Sequence, residues 1–303
     1  MDGRFAPSPT GPLHLGSLRT AMLAWLFARS EGSRFLLRVE DLDRVASRSE
    51  HEASHLADLK LLGIDWDGVP VRQSERLDLY RDALADLERA GLLYSCYCTR
   101  REIAEAVTAP HEDMPEGAYP GTCRGLDRQA RRDREAERPP ARRVIAEAAP
   151  AGATDRLRGW VGGVVDDFVV CRNDGMPAYN LAVVVDDAEQ GIEEVVRGDD
   201  LLSSVPRQAW LASTLGYAAP AYAHVALVVG DDGHRLAKRH GDVTLRDLHA
   251  EGWPAEAVRD RLLDSVGLTP GPLPEVAATF EPTRLPDAPT VLSDIISGRS
   301  MKR

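Results

Sequence analysis

The residues best suited to chemistry stand at the start of the chain. There Gly3-Arg4-Phe5-Ala6-Pro7-Ser8-Pro9-Thr10-Gly11-Pro12-Leu13-His14-Leu15-Gly16 joins a short strand ending near Phe5 to a helix opening at Leu15. Pro7, Pro9, Gly11 and Pro12 dictate a stiff, irregular loop. The first N–H groups of the helix lack intrahelical partners and lie at the positive end of its dipole. A loop that delivers His14 and Gly16 to this point therefore suits a phosphate. An ordinary strand-loop-helix crossover could use a lone Gly or His equally well, so it is the whole string that asks for an explanation. A second group is thiol-bearing: Cys96, Cys98 and Cys123, with Cys171 apart in an apolar stretch that suits a small core residue. A third is basic. Arg124, Arg128, Arg131, Arg132, Arg134, Arg138, Arg142 and Arg143 could follow an RNA backbone. The interleaved Asp127, Asp133, Glu135 and Glu137 equally suit a solvated helix with internal ion pairs.

These groups need elements to position them. Leu18, Ala21, Met22, Trp25 and Leu26 share one face of the first helix, and Gly32 ends it. Arg34 to Val39 reads as a buried strand that delivers Glu40-Asp41-Leu42-Asp43 to its carboxyl end. Ser47-x-x-Glu50 predicts a capping box and a helix facing inward through Ala53, Leu56 and Leu59. Ser74 is expected to cap the next helix, which carries Leu77, Tyr80, Leu84 and Leu87 and has Gly91 just beyond its end. Alternating strands and helices of this length predict a doubly wound parallel sheet. The pattern breaks near Tyr94, and Leu157 to Cys171 looks strand-rich. The parallel sheet is expected to resume at Leu181-Ala182-Val183-Val184-Val185. A helix follows Ser204-Val205-Pro206, then an apolar strand from Ala221 to Val229 and short helices around Leu245–Glu251 and Pro254–Val266. The proline-rich last thirty or so residues predict loops and a loosely packed tail.

Length and composition set the bounds. A chain of 303 residues, 43% hydrophobic and 28% charged, can bury a sizeable core in two domains or more. No stretch approaches a membrane span and no signal-peptide pattern opens the chain, which predicts a cytoplasmic protein without a membrane partner. Four cysteines in a chain this long suggest thiol or metal chemistry rather than a disulfide framework. A net charge of −11 does not advertise a nucleic-acid binder, although phosphate contacts depend on local clustering.

The opening string resembles the R-F-A-P-S-P-T-G-x-L-H-x-G "HIGH" region of class I aminoacyl-tRNA synthetases of the glutamyl branch. Arg38-Val39-Glu40-Asp41-Leu42-Asp43 is similar to the family's R-x-E-D-x-D. Ala178-Tyr179-Asn180 through Val185-Asp186-Asp187 is similar to its Y-N/H-x-A-x-V-V-D-D, and Val196-Arg197-Gly198-Asp199-Asp200-Leu201 to its R-G-x-D/E-x-L element. The resemblance implies a Rossmann-type α/β catalytic fold, with residues 1–93 and 177–230 as its halves. Residues 94–176 would be a zinc-bearing insertion, and 231–303 a second ATP motif with a small helical region. It implies ATP- and Mg²⁺-dependent activation of L-glutamate. Arg4, Ala6, Ser8, Glu40, Tyr179 and Arg197 are then the expected glutamate-binding residues. A guanidinium fork suits each carboxylate, and Glu40 at a strand's carboxyl edge suits the ammonium.

The resemblance assigns His14, Gly16 and Lys238 to ATP, with His14 and Lys238 as the catalytic pair. Arg235-Leu236-Ala237-Lys238-Arg239 occupies the place of K-M-S-K-S but departs from it. Ala237 replaces the small hydroxyl residue and Arg235 the first lysine, which puts ATP affinity and rate in question. Displacing pyrophosphate calls for positive charge on the phosphates, and Lys238 is the expected source. Cys96, Cys98, Tyr119 and Cys123 resemble the family's C-x-C…Y-x-x-x-C zinc site. Three thiolates suit a single tetrahedral Zn²⁺, with the Tyr119 phenolate or His111 as fourth ligand.

Only about sixty-five residues follow Lys238, too few for a separate anticodon-reading domain of usual size. This layout resembles the glutamyl-queuosine branch of the family, which attaches glutamate to queuosine in the anticodon loop of tRNA(Asp). A monomer acting on that tRNA is the expectation. The alternatives are a truncated glutamyl-tRNA synthetase charging tRNA(Glu), a catalytically inactive RNA-binding relative, or an unrelated nucleotidyl transferase with the same phosphate loop.

Overall fold

A computed structural model describes residues 1–106, 118–234, 236 and 243–297. The chain opens with β1 (Gly3–Phe5), α1 (Leu15–Ser30), β2 (Phe35–Val39), α2 (Ser49–Leu61), β3 (Val71–Arg72) and α3 (Leu77–Arg89). It continues through β4 (Leu93–Cys96), α4 (Arg100–Ala106), α5 (Arg128–Glu137), β5 (Ala141–Val144), β6 (Pro150–Asp155), β7 (Gly159–Val164) and β8 (Val169–Cys171). Next come α6 (Tyr179–Glu189), β9 (Glu194–Gly198), α7 (Val205–Thr214), β10 (Ala221–Val225) and β11 (Val228–Val229). The last part holds α8 (Leu245–Ala250), α9 (Ala255–Asp264), α10 (Leu273–Ala277), β12 (Thr290–Val291) and α11 (Leu292–Ser297).

Seven strands form one sheet in the order β3-β2-β1-β9-β10-β6-β7, parallel except for the β6–β7 hairpin. From β1 the chain goes to β2 on one side, and it returns to β9 on the other only after residue 193. That reversal opens a crevice at the carboxyl ends of β1 and β9, the place where open α/β sheets bind ligands. Helix α1 crosses this sheet and is buried on nearly every side, from Leu15 to Ala28, rather than along one face. A separate antiparallel sheet, β4-β5-β8, carries Cys96 and Cys171, whereas β6 and β7, within the same stretch of sequence, pair into the large sheet.

Several expectations are corrected. The apolar run Leu181–Val185 lies in helix α6, not in a strand, because α6 is enclosed on most sides and a buried helix and a buried strand look alike in a short apolar run. Ser47 and Glu50 make no capping box: α2 starts at Ser49 with Arg48 as an N-cap lacking a side-chain bond, and the Ser47 hydroxyl has no hydrogen-bond partner. Ala53 faces out, while His55, Asp58 and Leu59 are buried. Ser74 does not cap α3; it donates from its amide and hydroxyl to Asp41. The run Ala221–Val229 splits between two sheets.

The C-terminal segment is not a loose tail. Leu273, Val276, Phe280, Leu292 and Ile295 join the same core as α1, and Phe280 meets Phe27 edge-on at 5.3 Å. Arg19 holds this segment from within: its guanidinium donates to the Thr290 hydroxyl at 2.8 Å and the Ala226 carbonyl at 2.7 Å. Burial lowers the Arg19 pKa to about 10.

Candidate active site

The opening loop is fixed at both ends. The Glu40 amide donates to the Pro7 carbonyl at 3.0 Å and the Arg48 amide to the Pro9 carbonyl at 2.9 Å. The buried His55 ring meets the Gly11 carbonyl at 2.8 Å. His14 is the N-cap of α1: its Nδ1 accepts from the Ser17 amide at 3.1 Å, and Nε2 lies 3.1 Å from the Ser17 hydroxyl. A Cβ on residue 16 would come within 3.0 Å of the His14 ring and 3.3 Å of Val228, so this close approach favours glycine. Ala6, Ser8, His14, Gly16 and Arg197 share the lining of one open cleft of about 490 Å³ with Leu227, Val228 and Leu236. Arg235, Ala237, Lys238 and Arg239, like His111, lie outside the described residues.

Arg4, on β1, donates from Nε to Asp187 at 3.3 Å, and Arg38, on β2, donates to the same Asp187 oxygen at 2.7 Å. Glu40 stands 3.6 Å from Arg38. Burial pushes the Glu40 carboxyl up, and the charges of Arg38 and Arg4 restrain that rise. Tyr179, at the start of α6, is 41% exposed. Desolvation and the Glu40 charge push its phenol up, while the charges of Arg197 and Arg4 pull it down. Arg4 thus lies on β1, Glu40 just past β2, Arg197 near the end of β9 and Tyr179 at the start of α6. Asp41 and Asp43 serve the scaffold instead, Asp43 accepting from the amides of Val45 and Ala46.

Arg197 differs from Arg4 in its partners. Nε donates to His224 Nε2 at 2.9 Å, Nη1 to the Gln208 amide oxygen at 2.8 Å and Nη2 to the Leu201 carbonyl at 3.3 Å. All three acceptors are uncharged, and one hydrogen on each terminal nitrogen is left for another group. A buried guanidinium held this way favours an anionic ligand.

Sequence reasoning quoted Asp186 within a motif without giving it a role, and it missed the other residues behind this site. Asp186 accepts from Gln73, Arg76 and Tyr80, so it fastens α6 to the chain before and within α3. Asp155, His224 and Gln208 sit behind Arg197. The available signal was a polar residue inside an apolar strand or helix, which single-sequence motifs do not weigh.

At the end of β4, the Cys96, Cys98 and Cys123 sulfurs all lie within 4.8 Å of one another, with Cys98 and Cys123 3.5 Å apart. The Tyr119 hydroxyl is 3.4 Å from both the Cys96 and Cys98 sulfurs. Tetrahedral zinc with bonds of about 2.3 Å separates its sulfurs by roughly 3.8 Å, so the donor set fits a metal of that kind. The basic run resolves in part: Arg134 and Arg138 pair with Glu102 and Arg142 with Glu88, while α5 buries no residue. No helix among the described residues is long and apolar enough to cross a membrane.

Comparison with known proteins agrees with this architecture. The family model described as tRNA synthetases class I (E and Q), catalytic domain, matches residues 1–295. A Nocardia farcinica protein named glutamyl-Q tRNA(Asp) synthetase is 58% identical, covering 96% of this chain and 93% of its own length. The glutamate–tRNA ligase of Desulforamulus reducens is 40% identical over 88% of this chain but only 58% of its own length. A solved glutamate tRNA ligase from Elizabethkingia meningosepticum, in complex with its amino acid, superposes with a TM-score of 0.79 at 27% identity, covering 96% of this chain and 66% of that one. With the parallel sheet, the crevice between β1 and β9 and a family match over nearly its whole length, the chain belongs to the class I tRNA synthetases of the E and Q group, by their catalytic domain.

Proposed function

We propose that the protein activates L-glutamate with ATP and transfers it to queuosine in the anticodon loop of tRNA(Asp). The observation that carries the activation step is Arg197, a buried cation whose hydrogen-bond acceptors are all neutral, facing a cleft shared with the α1 N-terminus. Arg197 and Arg4 receive the two carboxylates of glutamate, Glu40 its ammonium, and Ala6, Ser8 and Tyr179 line the remaining contacts. The cleft between His14, Gly16 and Leu236 takes the nucleotide, and Lys238 supplies charge to its phosphates. Mg²⁺ bound with ATP neutralises phosphate oxygens in such sites. An oxygen of the glutamate α-carboxylate attacks the α-phosphorus, the bond to the β-phosphate breaks, and pyrophosphate leaves. A hydroxyl of the queuosine cyclopentene ring then attacks the acyl carbon, AMP departs, and the hydroxyl proton passes to solvent.

Identity of 58% to a protein named glutamyl-Q tRNA(Asp) synthetase, over almost the full length of both chains, supports the acceptor. In this reading residues 94–176 interrupt the two halves of the catalytic fold, with β6 and β7 returned to the large sheet. Cys96, Cys98, Cys123 and Tyr119 hold a Zn²⁺ that stiffens the three-stranded sheet. Such an enzyme works in the cytoplasm, where its tRNA is.

Two measurements test this. Pyrophosphate exchange should depend on glutamate and on no other amino acid. Nuclease mapping after reaction with labelled glutamate should place the label on queuosine of tRNA(Asp). Label confined to the terminal adenosine of tRNA(Glu) would replace the acceptor with that of a glutamyl-tRNA synthetase.

A further inference from the structure

We infer that Asp155 and His224 form a tautomer lock that orients Arg197 for its carboxylate ligand, which makes both of them positioning residues of the glutamate site. The inference rests on the reading of Arg197 as a glutamate-binding residue.

The lock is built on neighbouring strands. His224 and Arg197 face each other in the parallel register of β10 and β9. Asp155, at the end of β6, lies on the far side of β10, next to Tyr222. Asp155 Oδ2 is 2.5 Å from His224 Nδ1 and also accepts from the His224 amide at 3.0 Å. Its other oxygen accepts from the amides of Leu157 and Arg158, at 2.8 and 2.9 Å, in the β6–β7 turn. The carboxylate is therefore fixed on both oxygens and acts only as an acceptor.

A carboxylate at Nδ1 requires the proton there, and an imidazole has one N–H when neutral. Nε2 is then a lone pair, and Arg197 Nε donates to it at 2.9 Å. The opposite tautomer, or the imidazolium, would set an N–H against the Arg197 N–H, and the guanidinium would have to turn away. Burial holds the ring below its ordinary pKa, and the Arg197 charge adds to that, while Asp155 and Asp199 oppose it. Tyr222 stacks on the ring at 5.6 Å and lies under the guanidinium, whose carbon is 4.9 Å from its centroid. Tyr222 thereby packs against both the lock and the guanidinium it orients. Gln208 fixes the other edge of Arg197 and is itself tied to Asn180 on α6.

The tautomer is read without substrate, by long-range ¹⁵N–¹H NMR of protein labelled with ¹⁵N-histidine, the His224 signals being assigned by their loss in His224→Gln. The expected result is an Nδ1–H, Nε2-lone-pair ring. An Nε2–H ring or an imidazolium at pH 7 overturns the lock. Asp155→Asn can donate its amide to Nδ1 and drive the proton to Nε2. It should raise the KM for glutamate in pyrophosphate exchange by about tenfold or more and leave the KM for ATP unchanged. An unchanged glutamate KM also overturns the lock. Should Asp155→Asn fail to fold, His224→Gln, which restores an acceptor near the place of Nε2, should keep a lower glutamate KM than His224→Leu. Equal KM values for those two variants count against the inference. Absence of glutamate-dependent exchange in the unaltered protein would sink the functional reading instead, and the NMR result would still stand alone.

Discussion

Asp187 Oδ1 accepts a 2.7 Å hydrogen bond from Arg38 Nη1 with both side chains sealed from solvent. The same oxygen takes the Nε–H of Arg4 at 3.3 Å. One carboxylate near the end of a helix thus holds the guanidinium groups of β1 and β2 together. Removing Asp187 leaves the buried Arg4 without its carboxylate and leaves Arg38 with only the longer contacts to Glu40 and Asp186, at 3.6 and 3.7 Å. Asp187→Asn should lower stability by about 3 kcal/mol and raise the KM for glutamate. Arg38→Met added to Asp187→Asn should recover part of the stability, which denaturant unfolding of the single and double variants would measure.

The same carboxylate gives a pH dependence of stability. Burial alone would raise the Asp187 pKa, but Arg38 and Arg4 outweigh it and hold the group below its ordinary value. Protonation is then easier in the unfolded chain. The stabilisation is fully present above the unfolded pKa of about 3.9 and is lost as pH falls through the folded value. Melting temperatures followed downward from pH 6 should drop more steeply below pH 4 in the unaltered protein than in Asp187→Asn.

The thiol cluster predicts one metal ion per chain. Elemental analysis of purified protein should find zinc near one equivalent, and Cys98→Ser or Cys123→Ser should lose most of it. Chelation should lower the melting temperature without dissolving the large sheet, because the three-stranded sheet β4-β5-β8 is separate from it. Zinc well below one equivalent would remove the metal from the account.

Lys238→Ala should lower the exchange rate by about 10²-fold or more while far-UV circular dichroism and melting stay unchanged, since the role proposed for it is charge on a leaving group. An unchanged rate would take Lys238 out of the chemistry, and attention would pass to the His14 helix start.

The C-terminal segment should behave as part of the catalytic core. Phe280→Ala removes a ring packed on Phe27 and should cost about 3 kcal/mol, a loss shared by the whole domain rather than confined to a fraying end. A single unfolding transition shifted to lower denaturant is the expected record; a separate early transition would mean that the segment unfolds on its own.

The sequence by itself determined the family and the helix start at Leu15, and it singled out Arg4, Glu40, Tyr179 and Arg197. Such motifs are local strings whose residue types are dictated by the ligand's charge. It also determined β1, β2 and the ends of α1 and α3, where Gly32 and Gly91 adopt the left-handed conformation a chain reversal needs. Tertiary structure decided what local patterns cannot carry. Leu181–Val185 became a helix because it is enclosed by α3, α7 and β8, and an apolar run has no period to read once every side is buried. Ser47 and Ser74 lost their expected capping roles, Ser74 to Asp41, a partner 33 residues away. The proline-rich end packed on α1 because Arg19 and Phe27 offer it a donor and a ring from the far end of the sequence. His224 lies 27 positions along the chain from Arg197, and its own partner, Asp155, lies 69 positions before His224. Only the pairing of β6, β9 and β10 brings them into contact, since hydrogen bonds across a parallel sheet are set by strand order and not by distance along the chain.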